Sequence, residues 1–217
     1  MSNLKNILSV SHISSLEHEQ VTEFPARNYE FERHYKKTES YCAGHFSITP
    51  LSLVRDIVSI HRWVNMDYAR YWGMQGTCLD HVTQYYQKLC STEAVYAGFY
   101  NGELVFLVEL YDPQRDLLRY YYAQQQGDLG MHILLAPAAV PLRHFSRTVF
   151  ICVMEFLFSL PQVQRIVVEP DARNEKIHRL NRMAGFVYHQ RIYLPHKIAC
   201  LATATAAQFS AARTYFG

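Results

Sequence analysis

From His45 onward the apolar residues fall into two periods, and each switch between them marks an element. Phe46 and Ile48 alternate with polar neighbours in a short strand over 46–50, followed by a turn at Leu51-Ser52. Leu53, Ile57, Ile60 and Val64 then recur at threes and fours, which predicts a helix over 53–64 with Ser52 as its N-cap. Residues 67–71 read as helical, Gly73 and Gly76 interrupt, and 79–90 resumes the helical period through Leu79, Val82, Tyr86 and Leu89. Strands over 94–100 and 103–111 flank Asn101-Gly102, a pair that tolerates the positive φ of a type I′ hairpin turn. Further strands are predicted over 117–122 and 130–135, and a helix over about 145–160 after the break at 136–141. A strand over 164–168 has the continuous apolar character of one buried on both faces. A helix over 171–183 ends at Gly185, and 187–194 with 198–203 form a closing hairpin.

This order mixes an antiparallel meander with one β-α-β crossover, so it is neither a doubly wound fold nor a sandwich. Residues 1–44 are poorer in apolar positions and carry a charged stretch over 30–39, which sets them apart as an N-terminal arm before a domain over 45–217.

Composition narrows the function classes. The 217 residues are 49% hydrophobic and 18% charged, suited to one globular domain. Twenty-one Lys and Arg against 19 Asp and Glu leave a net charge of +2, without the clustered basic excess that a phosphate backbone requires, so nucleic acid is not an expected partner. Five cysteines, odd in number and without a CxxC pair, argue against a disulfide framework or a structural zinc and for buried thiols in a reducing compartment, and no metal is expected. With no signal-peptide core and no run near 18 apolar residues, the expected location is the cytoplasm, away from membranes.

Two polar residues stand in places where chemistry is possible. His132 lies inside an apolar strand, on the face opposite Ile133, and reads either as a core histidine or as a proton-transfer group. Asp171 follows Pro170 at a helix start, where an aspartate is commonly an N-cap, and Asn174 is a first-turn residue. Taken together, the strand bearing His132, the helix after it and the strand ending before Asp171 form a β-α-β unit whose strand ends open onto one crevice. The helix N-terminus beside it presents free N–H groups to anions such as a pyrophosphate.

The runs FLVELYDP (106–113), GDLGMHILLAP (127–137), VVEPDARN (167–174), AGF (184–186) and LPHK (194–197), with HRW (61–63) and YWGM (71–74), resemble the hydroxamate-siderophore branch of the GCN5-related N-acetyltransferases (GNAT). That branch includes the acyltransferases of aerobactin, alcaligin, bisucaberin and desferrioxamine biosynthesis and the mycobactin lysine acyltransferase, and the wording here is most similar to the desferrioxamine and bisucaberin type. The resemblance spans residues 45 to about 203. It implies an α/β (α+β) GNAT fold with a mixed, mostly antiparallel sheet of about seven strands and four to five helices. It also implies transfer of an acetyl or succinyl group from acyl-CoA to an N-hydroxylated diamine, N-hydroxycadaverine or N-hydroxyputrescine, in functional coupling to an amine N-monooxygenase and a siderophore synthetase.

Carried over by position, the resemblance makes His132 the catalytic base and Asp171 its partner. Acyl-CoA falls to Ile133, Leu134, Leu135, Arg143, His144, Phe145, Ser146, Arg147 and Asn174. The usual glycine-rich pyrophosphate loop is absent, since 137–147 reads PAAVPLRHFSR, so Arg143 or Arg147 is expected to assist. Asn181 stands where many relatives carry a tyrosine acid. Trp72 and Met74 are expected to cover the substrate's methylenes, and Glu109 and Asp112 are candidates to hold its far ammonium, against the plainer readings of a cross-strand pair and a turn residue. Rival functions are an aminoglycoside or polyamine N-acetyltransferase of the same fold, and a degenerate GNAT module that docks a siderophore synthetase.

Overall fold

Local sequence sets the first helix. Ser52 Oγ accepts from the Arg55 backbone N–H, while the Asp56 carboxylate accepts from the Ser52 N–H at 3.0 Å, so two of the four orphan donors at this end are satisfied. The computed structural model describes residues 31–36, 43–137 and 144–214. Its elements run β1 (Phe31–Tyr35), β2 (Gly44–Pro50), α1 (Leu53–Val64), α2 (Leu79–Thr92), β3 (Ala94–Tyr100), β4 (Glu103–Tyr111), β5 (Asp128–Leu135), α3 (Phe145–Ser159), β6 (Arg165–Val168), α4 (Glu175–Met183), β7 (Val187–Leu194), β8 (Lys197–Thr205) and α5 (Ala206–Thr214). The eight strands of the described residues form one sheet in the order β1-β2-β3-β4-β5-β6-β8-β7, antiparallel throughout except for β5 with β6. The eighth strand comes from β1, which pairs with β2 and brings part of the expected arm into the sheet.

Alternation along the strands feeds two layers. Phe106, Val108 and Leu110 of β4, with Leu129 and Met131 of β5, face α3 and α5, where Val149, Val153, Leu157 and Phe209 complete the core. Val95, Leu107 and Leu134 point the other way and pack under α1 and α2 against Ile60, Trp63, Val82 and Tyr86. A smaller cluster joins Leu118 to Val167, Ile192, Ala199 and Leu201.

Three expectations change. The segment expected as a strand over 117–122 is a 3-10 turn, Leu117–Tyr120, started by Asp116, whose carboxylate accepts from the Leu118 N–H. β4 and β5 pair directly, which leaves no place in the sheet for a strand between them. The helix expected from 171 begins at Glu175, because Pro170 and Ala172 still hydrogen-bond to Cys200 and Ile198 in extended backbone. Cys78 and Cys90 are exposed and Cys200 half-buried, so of the cysteines described only Cys152 is the buried thiol expected; Cys42 lies outside the described residues. The helix α5 has Phe209 as its one buried side chain, so its sequence carries little apolar period.

Candidate active site

The register of β4, β5 and β6 assembles a row of polar groups that no single segment contains. Glu109 is the cross-strand partner of His132. Gly130 pairs with Val167, so two residues further along each strand His132 comes level with Glu169, just past the end of β6. All three side chains point to the face away from α3. His132 Nδ1 lies 3.3 Å from Glu109 Oε2, and Nε2 lies 2.7 Å from Glu169 Oε1. Glu169 is held further by the Tyr111 hydroxyl, which donates to Oε2 at 2.6 Å, and by Lys197 Nζ at 3.3 Å. The Tyr111 ring packs on the imidazole with centroids 4.9 Å apart, and it fits because its cross-strand partner is Gly130, where a Cβ would sit 2.3 Å from the ring.

Electrostatics define the resting state of this row. Removal from bulk water works against a charged imidazole, yet the Glu169 charge and the hydrogen bonds that the ring donates to both carboxylates outweigh it, and the His132 pKa is pushed up to about 10. At neutral pH both ring nitrogens therefore carry protons, and each donates to a carboxylate. Burial pushes Glu169 the other way, but the His132 cation, its hydrogen bond and Lys197 hold Glu169 well below the usual carboxylate range. The imidazole remains reachable, with 41% of its side chain exposed to the cleft. Glu109 is 6% exposed, and its second oxygen, Oε1, closes no hydrogen bond among the described residues, with the Tyr86 hydroxyl as a donor standing close to the carboxylate. The nearby Tyr86 phenol, held well above its ordinary pKa by burial and then by the Glu109 charge, accepts from Trp72 Nε1 at 3.1 Å. An unmatched buried carboxylate oxygen is costly unless a donor turns to it, here the Tyr86 hydroxyl or a group of the ligand.

The row forms the floor of a cleft of about 320 Å³. β5 and β6 pair only over Asp128–Gly130 with Arg165–Val167, and beyond this β6 follows β8, so the two strands part. The cleft lies in the gap. On one side stand Tyr68, Tyr71, Trp72 and Tyr85, and on the other Asn174, Ile177 and Asn181 of the α4 region, with Met131 and Ile133 of β5 between them.

Of the residues expected for the site, His132, Trp72, Glu109, Ile133, Leu134, Asn174 and Asp171 line this cleft. Asp171 does not pair with His132: its carboxylate accepts from Arg173 Nε at 2.9 Å and Nη2 at 2.8 Å. Glu169, two residues earlier, occupies the position expected of it. Nor does Asp171 cap α4, a task done by Asn174, whose Oδ1 accepts from the Ile177 N–H. Glu109 lines the cleft and touches the imidazole itself through Oε2. Asp112 accepts from the Gln114 N–H in a turn, and Met74 packs into the core under α1 and α2; neither lines the cleft. Leu135 continues β5 beyond the cleft. His144 precedes α3 with φ of 62°, the Phe145 ring packs on Phe46 and Tyr100, Ser146 is exposed, and Arg147 borders a hollow with Leu180 and Ala184. None of these four lines the cleft, and Arg143 lies outside the described residues. The sequence reading missed Glu169, Tyr111 and Lys197. Glu169 carried a usable signal, an acidic residue continuing the alternation of Val167 on an otherwise apolar strand.

Comparison with known proteins places this geometry. The family described as an acetyltransferase (GNAT) domain matches residues 52–194. The chain is 25% identical over 158 residues to the N-hydroxyputrescine acetyltransferase of Acinetobacter baumannii, covering 72% of this chain and 76% of that protein. It is 24% identical over 147 residues to the N(6)-hydroxylysine O-acetyltransferase of Escherichia coli, covering 66% of this chain and 47% of that protein, so it spans about half of that relative's length. Among solved structures, the aminoglycoside acetyltransferase AAC(6')-Ib in complex with coenzyme A superposes with a TM-score of 0.68 at 21% identity, over 77% of this chain and 99% of that one.

Proposed function

The chain belongs to the GNAT acetyltransferase family, and on that premise we propose that it transfers an acyl group from acyl-CoA to the nitrogen of an N-hydroxylated diamine, forming a hydroxamate. The observation that carries this reading is the Glu109–His132–Glu169 row at the floor of the cleft. Similarity to the enzyme acting on N-hydroxyputrescine supports the substrate class. The parted β5 edge supports acyl-CoA as donor, because free backbone N–H and C=O groups there match a chain of amides.

A doubly protonated imidazole accepts a further proton only by giving one up, so the role expected of His132 is shared with its neighbour. The Glu109–His132 pair takes the proton that the nucleophilic nitrogen loses as its bond to the acyl carbon forms: Nδ1 passes its own proton to Glu109, and the imidazole, which faces the cleft, accepts the one from nitrogen. His132 keeps that carboxylate in place and offers positive charge to the developing oxyanion and departing sulfur, while Glu169 fixes the ring's orientation. In sum one proton moves from nitrogen to sulfur as the C–S bond breaks. An N-alkylhydroxylamine suits this site because its nitrogen is far less basic than an amine and reaches the cleft uncharged. An ammonium would have to be deprotonated beside the His132 cation.

Charge also argues against the aminoglycoside and polyamine readings. Glu109, Glu169 and Asp171 are each engaged by His132, Lys197 or Arg173, leaving little unbalanced negative charge for a polycation. The deciding experiment incubates the protein with acetyl-CoA or succinyl-CoA and N-hydroxycadaverine, N-hydroxyputrescine or N6-hydroxylysine, beside the parent amines. Product masses should show acylation of a hydroxylated amine at least tenfold faster than of its parent. Equal or faster acylation of the parent amine sinks the reading. Such an enzyme stands after an amine N-hydroxylation and before a hydroxamate-condensing step, in the cytoplasm where acyl-CoA is made.

A further inference from the structure

On the other wall of the cleft a second buried acceptor is held in one orientation by a chain of hydrogen bonds. His178 of α4 is 6% exposed, and its Nε2 lies 3.0 Å from the Asp171 carbonyl oxygen. A carbonyl only accepts, so with one proton on the ring that proton sits on Nε2 and leaves Nδ1 as an acceptor. The Tyr188 hydroxyl lies 2.7 Å from Nδ1 and must donate to it. Burial holds this phenol above its ordinary pKa, so it keeps the proton it donates. The phenol oxygen, its hydrogen now committed, receives Asn181 Nδ2–H at 3.1 Å. The Asn181 amide cannot turn over, because its carbonyl would then face an oxygen with no hydrogen to give. Oδ1 is thus directed away from Tyr188, and on a side chain 1% exposed it meets no hydrogen-bond donor among the described residues.

Asn181 lines the cleft, on the sheet face opposite His132, where Ile177 and Leu180 of the same helix pack into the core with Met131. A diamine offers that wall methylenes and a single ammonium. An amide-bearing chain laid between β5 and α4 offers N–H groups to both. Resting on the acyl-CoA reading above, we propose that Asn181 Oδ1 is a fixed acceptor for a hydrogen-bond donor of the pantetheine arm, either an amide N–H or the S–H of the released thiol. The Asp171–His178–Tyr188 chain positions it.

The test measures affinities of coenzyme A and acetyl-CoA by titration calorimetry for the wild-type protein, Asn181→Leu and Tyr188→Phe, with melting curves to verify folding. If an amide N–H is the donor, Asn181→Leu weakens both ligands alike, by about fivefold to tenfold, the worth of one neutral hydrogen bond. If the thiol is the donor, coenzyme A weakens and acetyl-CoA, which has no S–H, does not. Tyr188→Phe removes the partner that orients the amide and should weaken the same ligand or ligands by less, which keeps the question open to an answer if the leucine variant does not fold. Unchanged affinities in a folded variant overturn the proposal while leaving the acyl-CoA reading intact. A wild-type protein that binds neither ligand overturns both.

Discussion

At the residue scale the site turns on which carboxylate holds the imidazole. Glu169 touches His132 at 2.7 Å, whereas Asp171 is occupied by Arg173. Glu169→Gln should therefore lower turnover by about 10²-fold or more, the usual scale for losing the group that orients a catalytic imidazole, while Asp171→Asn should cost less than about tenfold. Steady-state rates for the two variants decide it, and the reverse ranking would return the role to Asp171. The same contact makes stability depend on pH. Because His132 titrates near 10 in the fold against 6.5 ordinarily, the folded state binds the extra proton between these values. Its stabilisation is complete below about pH 6.5 and disappears as pH rises through 10. Glu169, held below its ordinary 4.5, contributes above that value and is lost on acidification. Melting temperatures should decline from pH 6.5 to 10 more steeply for wild type than for His132→Gln, and parallel curves would refute the clamp.

At the element scale the cleft exists because β5 and β6 are joined at one end only. That end is fastened by Asp128 and Arg165, cross-strand partners whose side chains meet in two hydrogen bonds of 2.6 and 2.7 Å, with the Tyr122 hydroxyl on the same carboxylate at 3.0 Å. Removing the arginine leaves a carboxylate whose side chain is 1% exposed without its counter-charge. Arg165→Gln should thus destabilise the protein by about 3–5 kcal/mol in urea unfolding, and Asp128→Asn in the same chain should recover part of that. A loss below about 1 kcal/mol would mean that the hydrophobic core alone holds the two strands. Such a fastening at the paired end lets the strands separate beyond Gly130 without loosening the sheet.

At the scale of the whole molecule, distant parts of the chain are tied to α3 on the face away from the cleft. Glu155 accepts from Tyr35 of β1 at 2.7 Å and pairs with Arg33 of β1 and Arg213 of α5. Glu155→Gln is expected to lower stability by about 1–3 kcal/mol while leaving turnover within twofold, since no member of the cluster lines the cleft. A loss of turnover at unchanged stability would show that the two faces are coupled. The chain's own patterning determined most of the elements: the threes and fours of α1 and α2, the Asn-Gly hairpin of β3 and β4, and the apolar run of β6 are local signals that need no partner to be read. It also placed His132 on a strand facing away from Ile133, and the resemblance of its motifs brought the fold and the acyl-transfer chemistry within reach. What it could not determine was the partner of His132. Strand periodicity says which face a side chain takes but not how far one strand is slid along the next, and shifting β6 against β5 by two residues exchanges Glu169 for Asp171 without changing the face of either. Only the packed sheet sets that register, through the side chains of Tyr111, Arg165 and Leu129 fitting where they do. The register therefore decided which carboxylate holds the imidazole, and with it which group is left free to take a proton.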